Sequence, residues 1–396
     1  MKASQIQKPP DVPAALVVEY TDPIEGFKGW FVRDTLAHRL CAGGVRVQSG
    51  LTRNHLCDMA RNMTRKMQIA SLHVDGAKCG IDYDPQMPGK QKALGRFMEA
   101  LLPYIKDCYS MGPDLNVDMR ELDSIGEKLG IPSVKMAIAT AMGWDIKYFL
   151  ERYAILNQPI DGWTLNGLRA GAGVAQACLS VCSFLNISPF QAKVVIQGFG
   201  VVAKACAYFL NNSGVHIIGF ADYQRSIIAP EGNSLDIAAL LQDKSTLLPR
   251  LSSMTAQDVK PDAIYGTACD IFIPAAVENS VNRDTAAILT TKAVVPGANL
   301  AVTSEGEEIL QGRGILVVPD YLSGCGGSIS MEGLFGPDSH PEPEVVLLHV
   351  QTKMATLVEK VLTRSREQNI TPAMAALQYC SETDIPAGNK PYAREE

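Results

Sequence analysis

The stretch KVVIQGFGVVAKACAYFL, residues 193–210, decides the fold of the second half of the chain. Its first five residues form an apolar run typical of a buried strand, and the residues after the glycines follow the period of a helix. Between them, two glycines and an alanine have the spacing GxGxxA. Small residues are needed where a backbone turns tightly, approaches a pyrophosphate and directs a helix N-terminus at it. The stretch therefore predicts a dinucleotide-binding turn formed by Gly198, Gly200, Val201 and Val202.

An acidic residue follows at the end of the next predicted strand, 215–220. Asp222 lies 22 residues after Gly200, where a carboxylate accepts hydrogen bonds from the ribose 2′-hydroxyl of NAD and repels the 2′-phosphate of NADP. Arg225 lies just beyond it and could hold that phosphate. We therefore expect NAD as the cofactor, with NADP as an open alternative. A doubly wound fold with a tight turn and no nucleotide is the other interpretation of the motif.

The remaining pattern indicates two α/β domains, because 396 residues exceed what one compact core accommodates. Short apolar strands such as 270–274 and 315–319 alternate with helical segments, which predicts a parallel, doubly wound sheet. We predict a Rossmann-type dinucleotide-binding domain over 151–345. An N-terminal α/β domain for substrate binding and assembly is predicted over 1–150, completed by 345–396 through C-terminal helices that return to it.

Composition excludes several classes of protein. The net charge of −6 argues against nucleic acid as a partner, and no stretch approaches the roughly 20 apolar residues that cross a bilayer. The first residues lack the apolar core of an export signal, so we expect a cytoplasmic protein. Its 10 cysteines are scattered without CxxC pairs, which predicts free thiols and no metal site.

Glycine-rich segments in the first third place basic and acidic residues in a distinctive order. Residues 42–46 read AGGVR, 63–66 read MTRK, 76–81 read GAKCGI and 113–116 read PDLN. Lys66 and Lys78 are 12 residues apart, and we place Lys78 in a glycine-rich turn. Two such cations suit an anionic substrate with a small reacting centre, and a lysine in a dry site can exchange protons near neutral pH.

Further segments continue this order: CDIFIPAAVEN at 269–279, GAN at 297–299, GILVVPD at 314–320 and a glycine pair at 326–327. Together, the segments resemble the motifs of the glutamate/leucine/phenylalanine/valine dehydrogenase family, from about residue 14 to about residue 375. The resemblance implies reversible oxidative deamination of an L-amino acid to the 2-oxo acid and ammonium. It also implies reduction of NAD and a homo-oligomeric protein.

The resemblance assigns roles to individual residues. Lys66 would bind the α-carboxylate, Lys78 would activate water and stabilise the carbinolamine, and Asp114 would shuttle protons to and from the amino nitrogen. Taken singly, these residues would be an ordinary solvated lysine, a turn lysine and a helix cap. By their positions in the motifs, Gly43 and Gly44 would contact the substrate, and Ala275 and Asn299 would contact the cofactor.

Two positions depart from the pattern of glutamate-specific members. Those members have a lysine before Gly-Gly-x-Arg and a serine four residues after the late glycine pair, and both contact the γ-carboxylate. This chain has Ala42 and Met331 instead. Burying a carboxylate against apolar groups without a partner costs several kcal/mol. We therefore expect a substrate with an apolar or aromatic side chain, although Met331 could equally be ordinary core.

Two further departures leave room for other functions. Asp75 replaces the first glycine before Lys78 and adds a carboxylate that would perturb this lysine or crowd the substrate. Ala170 replaces a threonine that the family places near the nicotinamide. One alternative is a non-catalytic paralogue that binds nucleotide or amino acid and regulates a partner. The other is an oxidoreductase that acts on a related 2-oxo or imino acid.

Overall fold

The chain divides into two compact units in a computed structural model that describes residues 13–242, 245–250, 256–337, 341–382 and 390–392. Unit 1 comprises Met1–Ala154, Phe335–Pro337 and Cys380–Glu396, and unit 2 comprises Ile155–Leu334 and Asp338–Tyr379. Each unit contains its own β-sheet and its own hydrophobic core.

Unit 1 is built around a five-stranded sheet. Its strands are β1 (Leu16–Thr21), β2 (Lys28–Arg33), β3 (Cys41–Gln48), β4 (Asp75–Asp82) and β5 (Tyr109–Pro113). Their spatial order is β1-β2-β4-β3-β5. Strand β2 runs antiparallel to β1 and β4, whereas β3 is parallel to β4 and β5. The three parallel strands therefore end at the same edge of the sheet.

Helices cover both faces of this sheet. They are α1 (Arg53–Ile69), α2 (Lys90–Ala100), α3 (Leu102–Asp107), α4 (Met119–Lys128), α5 (Ala137–Met142) and α6 (Ile146–Ala154). Helix α1 begins at Thr52, whose side chain accepts a hydrogen bond from the His55 backbone N–H. On one face of the sheet, alternate residues such as Val45, Cys79 and Met111 pack with the apolar sides of α2 and α4.

The glycine-rich segments of the first third form strands, which corrects our prediction for Lys78. This lysine lies in the middle of β4 and is 3% exposed, instead of lying in a turn. Glycine here permits close approach: a Cβ on Gly76 would collide with the Thr64 nitrogen of α1, and one on Gly43 with the Ala77 carbonyl oxygen. The glycines therefore allow tight packing of a buried strand.

Unit 2 is built around a seven-stranded sheet with the order β11-β10-β9-β8-β12-β13-β14, next to a small two-stranded sheet of β6 and β7. The strands are β6 (Pro159–Ile160), β7 (Trp163–Thr164), β8 (Lys193–Gln197), β9 (His216–Ala221), β10 (Ser226–Ile228), β11 (Gln257–Val259), β12 (Ile271–Pro274), β13 (Ala293–Val294) and β14 (Leu316–Val317). Strands β9, β8, β12, β13 and β14 are parallel, and β10 runs antiparallel to both of its neighbours. The predicted α/β fold with a doubly wound sheet is confirmed.

Helices follow the strands of unit 2 as predicted. They are α7 (Leu165–Phe184), α8 (Val201–Asn212), α9 (Ile237–Leu241), α10 (Arg283–Ile288), α11 (Ser304–Gly312), α12 (Asp320–Ser323), α13 (Gly326–Phe335), α14 (Pro343–Gln368) and α15 (Pro372–Glu382). Helices α7 and α13 approach closely, because a Cβ on Gly173 would lie 2.7 Å from the Gly326 Cα. In the part of the chain that the structure describes, no helix is long and apolar enough to cross a membrane.

The C-terminal helices are divided between the two units. Helix α14 and most of α15 group with unit 2, and only the residues from Cys380 onward group with unit 1. The reason is the apolar stripe of α14, in which Val350, Met354 and Val358 are buried at helical spacing. Met354 packs against Gly173 of α7, and its Sδ accepts a hydrogen bond from the Cys325 Sγ at 3.3 Å.

Replacing Gly43 should measure how far the first unit depends on close approach of its strands. We expect Gly43→Ala to lower the free energy of unfolding by about 1–3 kcal/mol or to prevent folding, because the new Cβ meets the backbone of β4. Gly95→Ala in α2 is the matched control: its Cβ would contact only the Ile125 side chain, at 3.9 Å, and alanine favours a helix. Urea unfolding of both variants measures the difference, and equal stabilities would contradict the prediction.

Candidate active site

One face of the sheet of unit 1 carries most of the residues predicted to act on the substrate, and we call it the glycine face. Its residues are Ala42, Gly44 and Arg46 of β3, Gly76 and Lys78 of β4, and Gly112 of β5 with Asp114 just beyond it. Their chain neighbours Val45, Ala77, Cys79 and Met111 point into the core on the opposite face. Gly44 lies directly opposite Gly112 in the register of β3 and β5.

Glycine residues on this face leave room for neighbouring groups. A Cβ on Gly44 would lie 2.9 Å from both the Asp114 Cβ and the Pro113 carbonyl oxygen. Gly43 faces the other way, and its carbonyl oxygen accepts a hydrogen bond from the Tyr109 hydroxyl at 3.1 Å. Of the two predicted glycines, Gly44 therefore makes room for Asp114, and Gly43 fixes β3 against its neighbours.

A buried ion pair lies at the centre of the glycine face. The Lys78 ammonium contacts the Asp114 carboxylate, and Arg46 Nη2 donates to Asp114 Oδ1 at 3.3 Å. The Leu115 backbone N–H donates to the same oxygen at 2.6 Å. Burial raises the pKa of Asp114, but the Lys78 and Arg46 charges outweigh it and lower the pKa to about 2. Asp114 is therefore a carboxylate at neutral pH, the form that accepts a proton.

Arg46 is a residue of the site that our site prediction missed. It is 3% exposed, and its Nη1 donates to Gln48 Oε1 at 3.0 Å and lies 3.3 Å from His55 Nε2. Its guanidinium thus joins the start of α1 to the Asp114 carboxylate. The available signal was its position in the segment AGGVR, two residues after Gly44 and hence on the same face of a strand.

Lys66 belongs to the helix that covers part of the glycine face. It lies in the last turn of α1 and is 7% exposed. Helix α1 packs on this face of β4, because a Cβ on Gly76 would collide with the Ala60 carbonyl oxygen and the Thr64 nitrogen. The contact of Lys66 with a substrate carboxylate stays a prediction.

Asp75 lies on the opposite side of β4 from Lys78, because the two are an odd number of residues apart in a strand. Arg33 of β2 donates to Asp75 Oδ2 through Nε at 3.0 Å and Nη2 at 2.6 Å, and the Thr35 hydroxyl donates to Oδ1 at 2.7 Å. Asp75 and Arg33 are both buried. Its carboxylate therefore faces Arg33, on the side of β4 opposite to Lys78.

Lys135 is a second cation of this face that sequence reasoning missed. It follows α4, is 7% exposed, and its Nζ lies 3.4 Å from the position that a Cβ on Gly112 would occupy. No motif includes this lysine, and its distance from Asp114 along the chain hides their proximity in space. The glycine face therefore carries more positive charge than the motifs indicate.

In unit 2, the turn between β8 and α8 carries the predicted dinucleotide-binding residues. Gly198 has a φ of 113°, and a Cβ on it would lie 2.7 Å from the Ala275 carbonyl oxygen, so glycine is required. Gly200 is the N-cap of α8, and a Cβ there would meet nothing within 4 Å. Val201 and Val202 begin the helix, with the Val201 side chain 59% exposed. The open space at this helix N-terminus fits a pyrophosphate.

Asp222 follows β9, and backbone N–H groups hold its carboxylate. Oδ1 accepts from Gln224 at 2.6 Å and Arg225 at 2.9 Å, and Oδ2 accepts from Leu248 at 2.6 Å. The Arg225 guanidinium donates to Asp258 at 2.7 Å and to the Leu248 carbonyl oxygen at 2.9 Å. Arg225 is thus bound to acceptors of the protein, whereas Asp222 places a carboxylate at the end of β9.

Ala275 and Asn299 follow strands β12 and β13 of the same sheet. The Ala275 backbone N–H donates to the Gln197 carbonyl oxygen at 2.7 Å, which places it beside the end of β8. A Cβ on Gly297 would lie 2.9 Å from the Ala275 Cβ, so the segment that carries Asn299 passes close to it. The structure thus brings Ala275 next to the glycine turn, and contacts of both residues with a cofactor stay predictions.

Met331 and Ala170 lie in helices of unit 2. Met331 is 8% exposed in α13, and Ala170 belongs to α7. Arg169 of α7 donates to the Ser330 hydroxyl of α13 at 3.0 Å, which fixes the two helices together next to both positions. The expected contacts of Met331 with a substrate side chain and of Ala170 with a nicotinamide stay predictions.

All 10 cysteines are free thiols. Most are buried, among them Cys41, Cys79 and Cys206. Burial raises the pKa of the Cys206 thiol well above its usual value. Among the residues that the structure describes, no group of His, Cys, Asp and Glu is arranged to hold a metal ion.

Known proteins match the chain over most of its length. The model of the Glu/Leu/Phe/Val dehydrogenase dimerisation domain matches residues 14–129, and that of the Glutamate/Leucine/Phenylalanine/Valine dehydrogenase matches residues 166–382. NADP-specific glutamate dehydrogenase of Saccharolobus shibatae is 27% identical over 319 residues, which are 77% of this chain and 70% of that protein. NAD-specific glutamate dehydrogenase of Clostridioides difficile is 25% identical over 378 residues, 90% of this chain and 84% of that protein.

A solved structure resembles the whole fold. The hetero-hexameric glutamate dehydrogenase of Thermus thermophilus, in a leucine-bound form, superposes with a TM-score of 0.75 at 26% identity. The match covers 93% of this chain and 88% of that one. Fold, glycine turn and buried lysine–aspartate pair together define the class of amino-acid dehydrogenases. The chain belongs to the glutamate/leucine/phenylalanine/valine dehydrogenase family, as the motif order predicted.

The buried pair of Arg33 and Asp75 should contribute strongly to stability. Arg33→Met should lower the free energy of unfolding by about 3–5 kcal/mol, because it leaves the buried Asp75 carboxylate without its cation. The double variant Arg33→Met/Asp75→Asn removes both charges and should recover most of this loss. Urea unfolding of the three proteins measures both effects. A single variant as stable as the double variant would show that the pair carries no such energy.

Proposed function

We propose that the protein catalyses the reversible oxidative deamination of an L-amino acid to the 2-oxo acid and ammonium, with NAD as the hydride acceptor. The observation that carries the proposal is the buried contact of Lys78 with Asp114 on the glycine face. It holds a proton donor and a proton acceptor together, largely shielded from water, as proton transfer at a small reacting centre requires. The turn before α8 and the names of the relatives support a nicotinamide dinucleotide as the second reactant.

Three groups divide the chemistry. Lys66 binds the α-carboxylate, and Asp114 accepts the proton that the α-amino group loses before hydride leaves Cα. Lys78 releases its ammonium proton to solvent when the substrate binds. The neutral amine then takes a proton from the water that attacks the imine carbon, and the ammonium so formed stabilises the oxygen of the carbinolamine. Collapse of the carbinolamine gives the 2-oxo acid, and Asp114 returns its proton to the departing nitrogen. Arg46 stabilises the carboxylate form of Asp114, to which the residue returns at the end of each cycle.

NAD is the cofactor that we propose over NADP. Asp222 presents a negative charge at the end of β9, which repels a 2′-phosphate and can accept hydrogen bonds from a ribose hydroxyl. Arg225, the residue that could have bound the phosphate, donates to Asp258 and to a backbone carbonyl oxygen. When bound, the nicotinamide supplies the site that receives the hydride.

The side chain of the substrate is apolar or aromatic in this proposal. Ala42 lies on the glycine face at the position where glutamate-specific members have a lysine, and Met331 replaces their serine. Burial of each methylene against such groups contributes about 0.8 kcal/mol. A carboxylate that loses its water without a matched partner is destabilised.

Assembly and location belong to the proposal as well. We propose a homo-oligomer, because the first family model is that of a dimerisation domain. Ten free cysteines without a disulfide suit the reducing cytoplasm, which is where we place the protein. Asp75 is one of the two departures that favoured a non-catalytic paralogue. Its carboxylate faces Arg33, so it no longer supports that alternative.

Consumption of NADH with ammonium and a panel of 2-oxo acids tests the proposal. Turnover of 4-methyl-2-oxopentanoate or phenylpyruvate, faster than that of 2-oxoglutarate, is the expected result. Turnover only when an alkyl amine replaces ammonium would instead indicate the imino-acid oxidoreductase. Binding of NADH without turnover of any 2-oxo acid would indicate the regulatory paralogue.

Removing the Lys78 ammonium should stop turnover without removing the cofactor site. Lys78→Met keeps the length and packing of the side chain within β4, so we expect kcat to fall at least about a hundredfold, the contribution of one acid–base group. NADH affinity should not change, because the predicted cofactor residues lie in unit 2. Lys106→Met, at an exposed position of α3, is the control. Near-normal kcat in Lys78→Met would assign proton transfer to another group.

Removing the charge of Asp222 should shift the cofactor preference toward NADP. Asp222→Asn keeps an acceptor for the backbone N–H groups but no longer repels a 2′-phosphate, so we expect the ratio of NADPH to NADH affinity to rise at least about tenfold, or about 1.4 kcal/mol. Fluorescence titration with each reduced cofactor measures the ratio. Asp262→Asn, at an exposed position of the same unit, is the control. An unaltered protein that already prefers NADPH would contradict the proposed role of Asp222.

A further inference from the structure

Lys135 lies on a segment that runs beside β5. The Met111 backbone N–H donates to the Val134 carbonyl oxygen at 3.1 Å, and the Lys135 N–H donates to the Ser133 hydroxyl at 3.1 Å. Ser133, Val134 and Lys135 are all buried. The backbone beneath this lysine is therefore fixed, and its alkyl stem is packed against protein instead of extending into solvent.

The ammonium of Lys135 lies against Gly112. Its Nζ is 3.4 Å from the position that a Cβ on Gly112 would occupy, which is a van der Waals contact distance. Gly112 opposes Gly44 and precedes Asp114 by two residues. Two residues of a strand span roughly 6.6 Å. Gly112, which the ammonium contacts, is thus two residues from Asp114 of the proposed reacting centre.

Lys135 is a further cation of the glycine face, in addition to Lys78 and Arg46. Asp114 already receives contacts from Lys78 and Arg46. Asp123 of α4 also interacts with Lys135, but it is exposed to solvent, where water screens such interactions. The Lys135 ammonium therefore adds positive charge beside Gly112, on the face that also carries the small residue Ala42.

We propose that Lys135 determines the substrate specificity, and that its ammonium packs against the face of an aromatic side chain on the substrate. The inference rests on the proposed oxidative deamination and narrows its side-chain class. Ala42 and Gly112 are partly exposed and carry few side-chain atoms, which leaves room for a flat ring, and an ammonium within about 6 Å of a ring centroid is attracted to it. An aliphatic side chain would remove water from the ammonium without an attraction that compensates for the lost hydration.

Selectivity between two apolar 2-oxo acids tests the inference. We compare kcat/KM for phenylpyruvate and 4-methyl-2-oxopentanoate, with NADH and ammonium, in the unaltered protein and in Lys135→Met. Methionine keeps the unbranched stem and removes the charge. Lys135→Arg keeps a cation at the same place, and Lys128→Met, at the exposed end of α4, is the matched control. Thermal unfolding and NADH titration confirm that each variant is folded.

The unaltered protein and Lys128→Met should prefer phenylpyruvate at least about tenfold, the effect of about 1.4 kcal/mol. Lys135→Met should lose most of this preference, and Lys135→Arg should retain it. A purely structural role for Lys135 would lower kcat/KM for both acids by the same factor, so an unchanged ratio in Lys135→Met overturns the inference.

The same data separate this inference from the proposed function. If the unaltered protein turns over no 2-oxo acid, the proposed function fails, whatever Lys135 does. If 2-oxoglutarate is the best substrate and Lys135→Met abolishes its advantage, the ammonium pairs with a carboxylate and the aromatic assignment is overturned. Turnover of phenylpyruvate with a preference that depends on Lys135 supports both statements.

Discussion

The contact between the Lys78 ammonium and the Asp114 carboxylate is the interaction on which the architecture of the first unit depends. Removal of two ions from water is costly unless further donors and acceptors compensate for it. Here Arg46 and the Leu115 backbone N–H supply that compensation on the Asp114 side. The pair also requires bare backbone beside it, because a Cβ on Gly44 would lie 2.9 Å from the Asp114 Cβ. The buried ion pair therefore requires glycine at position 44 of β3.

The two faces of β4 carry two ion pairs that do not interfere with each other. Asp75, at the start of the strand, pairs with Arg33 across to β2, and Lys78, three residues later, pairs with Asp114 beyond β5. Successive side chains of a strand point to opposite faces, so an odd separation keeps the two carboxylates apart. The Asp75 carboxylate, which is close to Lys78 in the sequence, is thus paired with Arg33 on the other side of the sheet.

Strands were predicted correctly from the sequence where they consist of a short apolar run. Strand β8 was predicted at its observed bounds, and β9 and β12 within one residue, because their apolar runs end at glycine or aspartate turns. Strands β3, β4 and β5 were not predicted, although they carry the site. A glycine-rich strand lacks the alternation of apolar and polar side chains by which strands are predicted. Its glycines instead allow the backbone to pack closely against neighbouring elements. The same segments were identified as functional only through their order in the chain.

Individual residues of the site were harder to predict, for a reason that Ala42 and Lys135 illustrate together. The absence of the family lysine at position 42 predicted a pocket without a cation for the substrate side chain, because that prediction used the residues of one motif only. Lys135 belongs to a different segment, and only the register of β3 with β5 and the missing side chain at Gly112 bring its ammonium to the same face. A charge at a site depends on where the chain folds back. A substitution that removes a cation from one strand therefore leaves the electrostatics of the site undetermined until every neighbouring segment is placed, and here Lys135 adds a cation to a face that already carries Lys78 and Arg46.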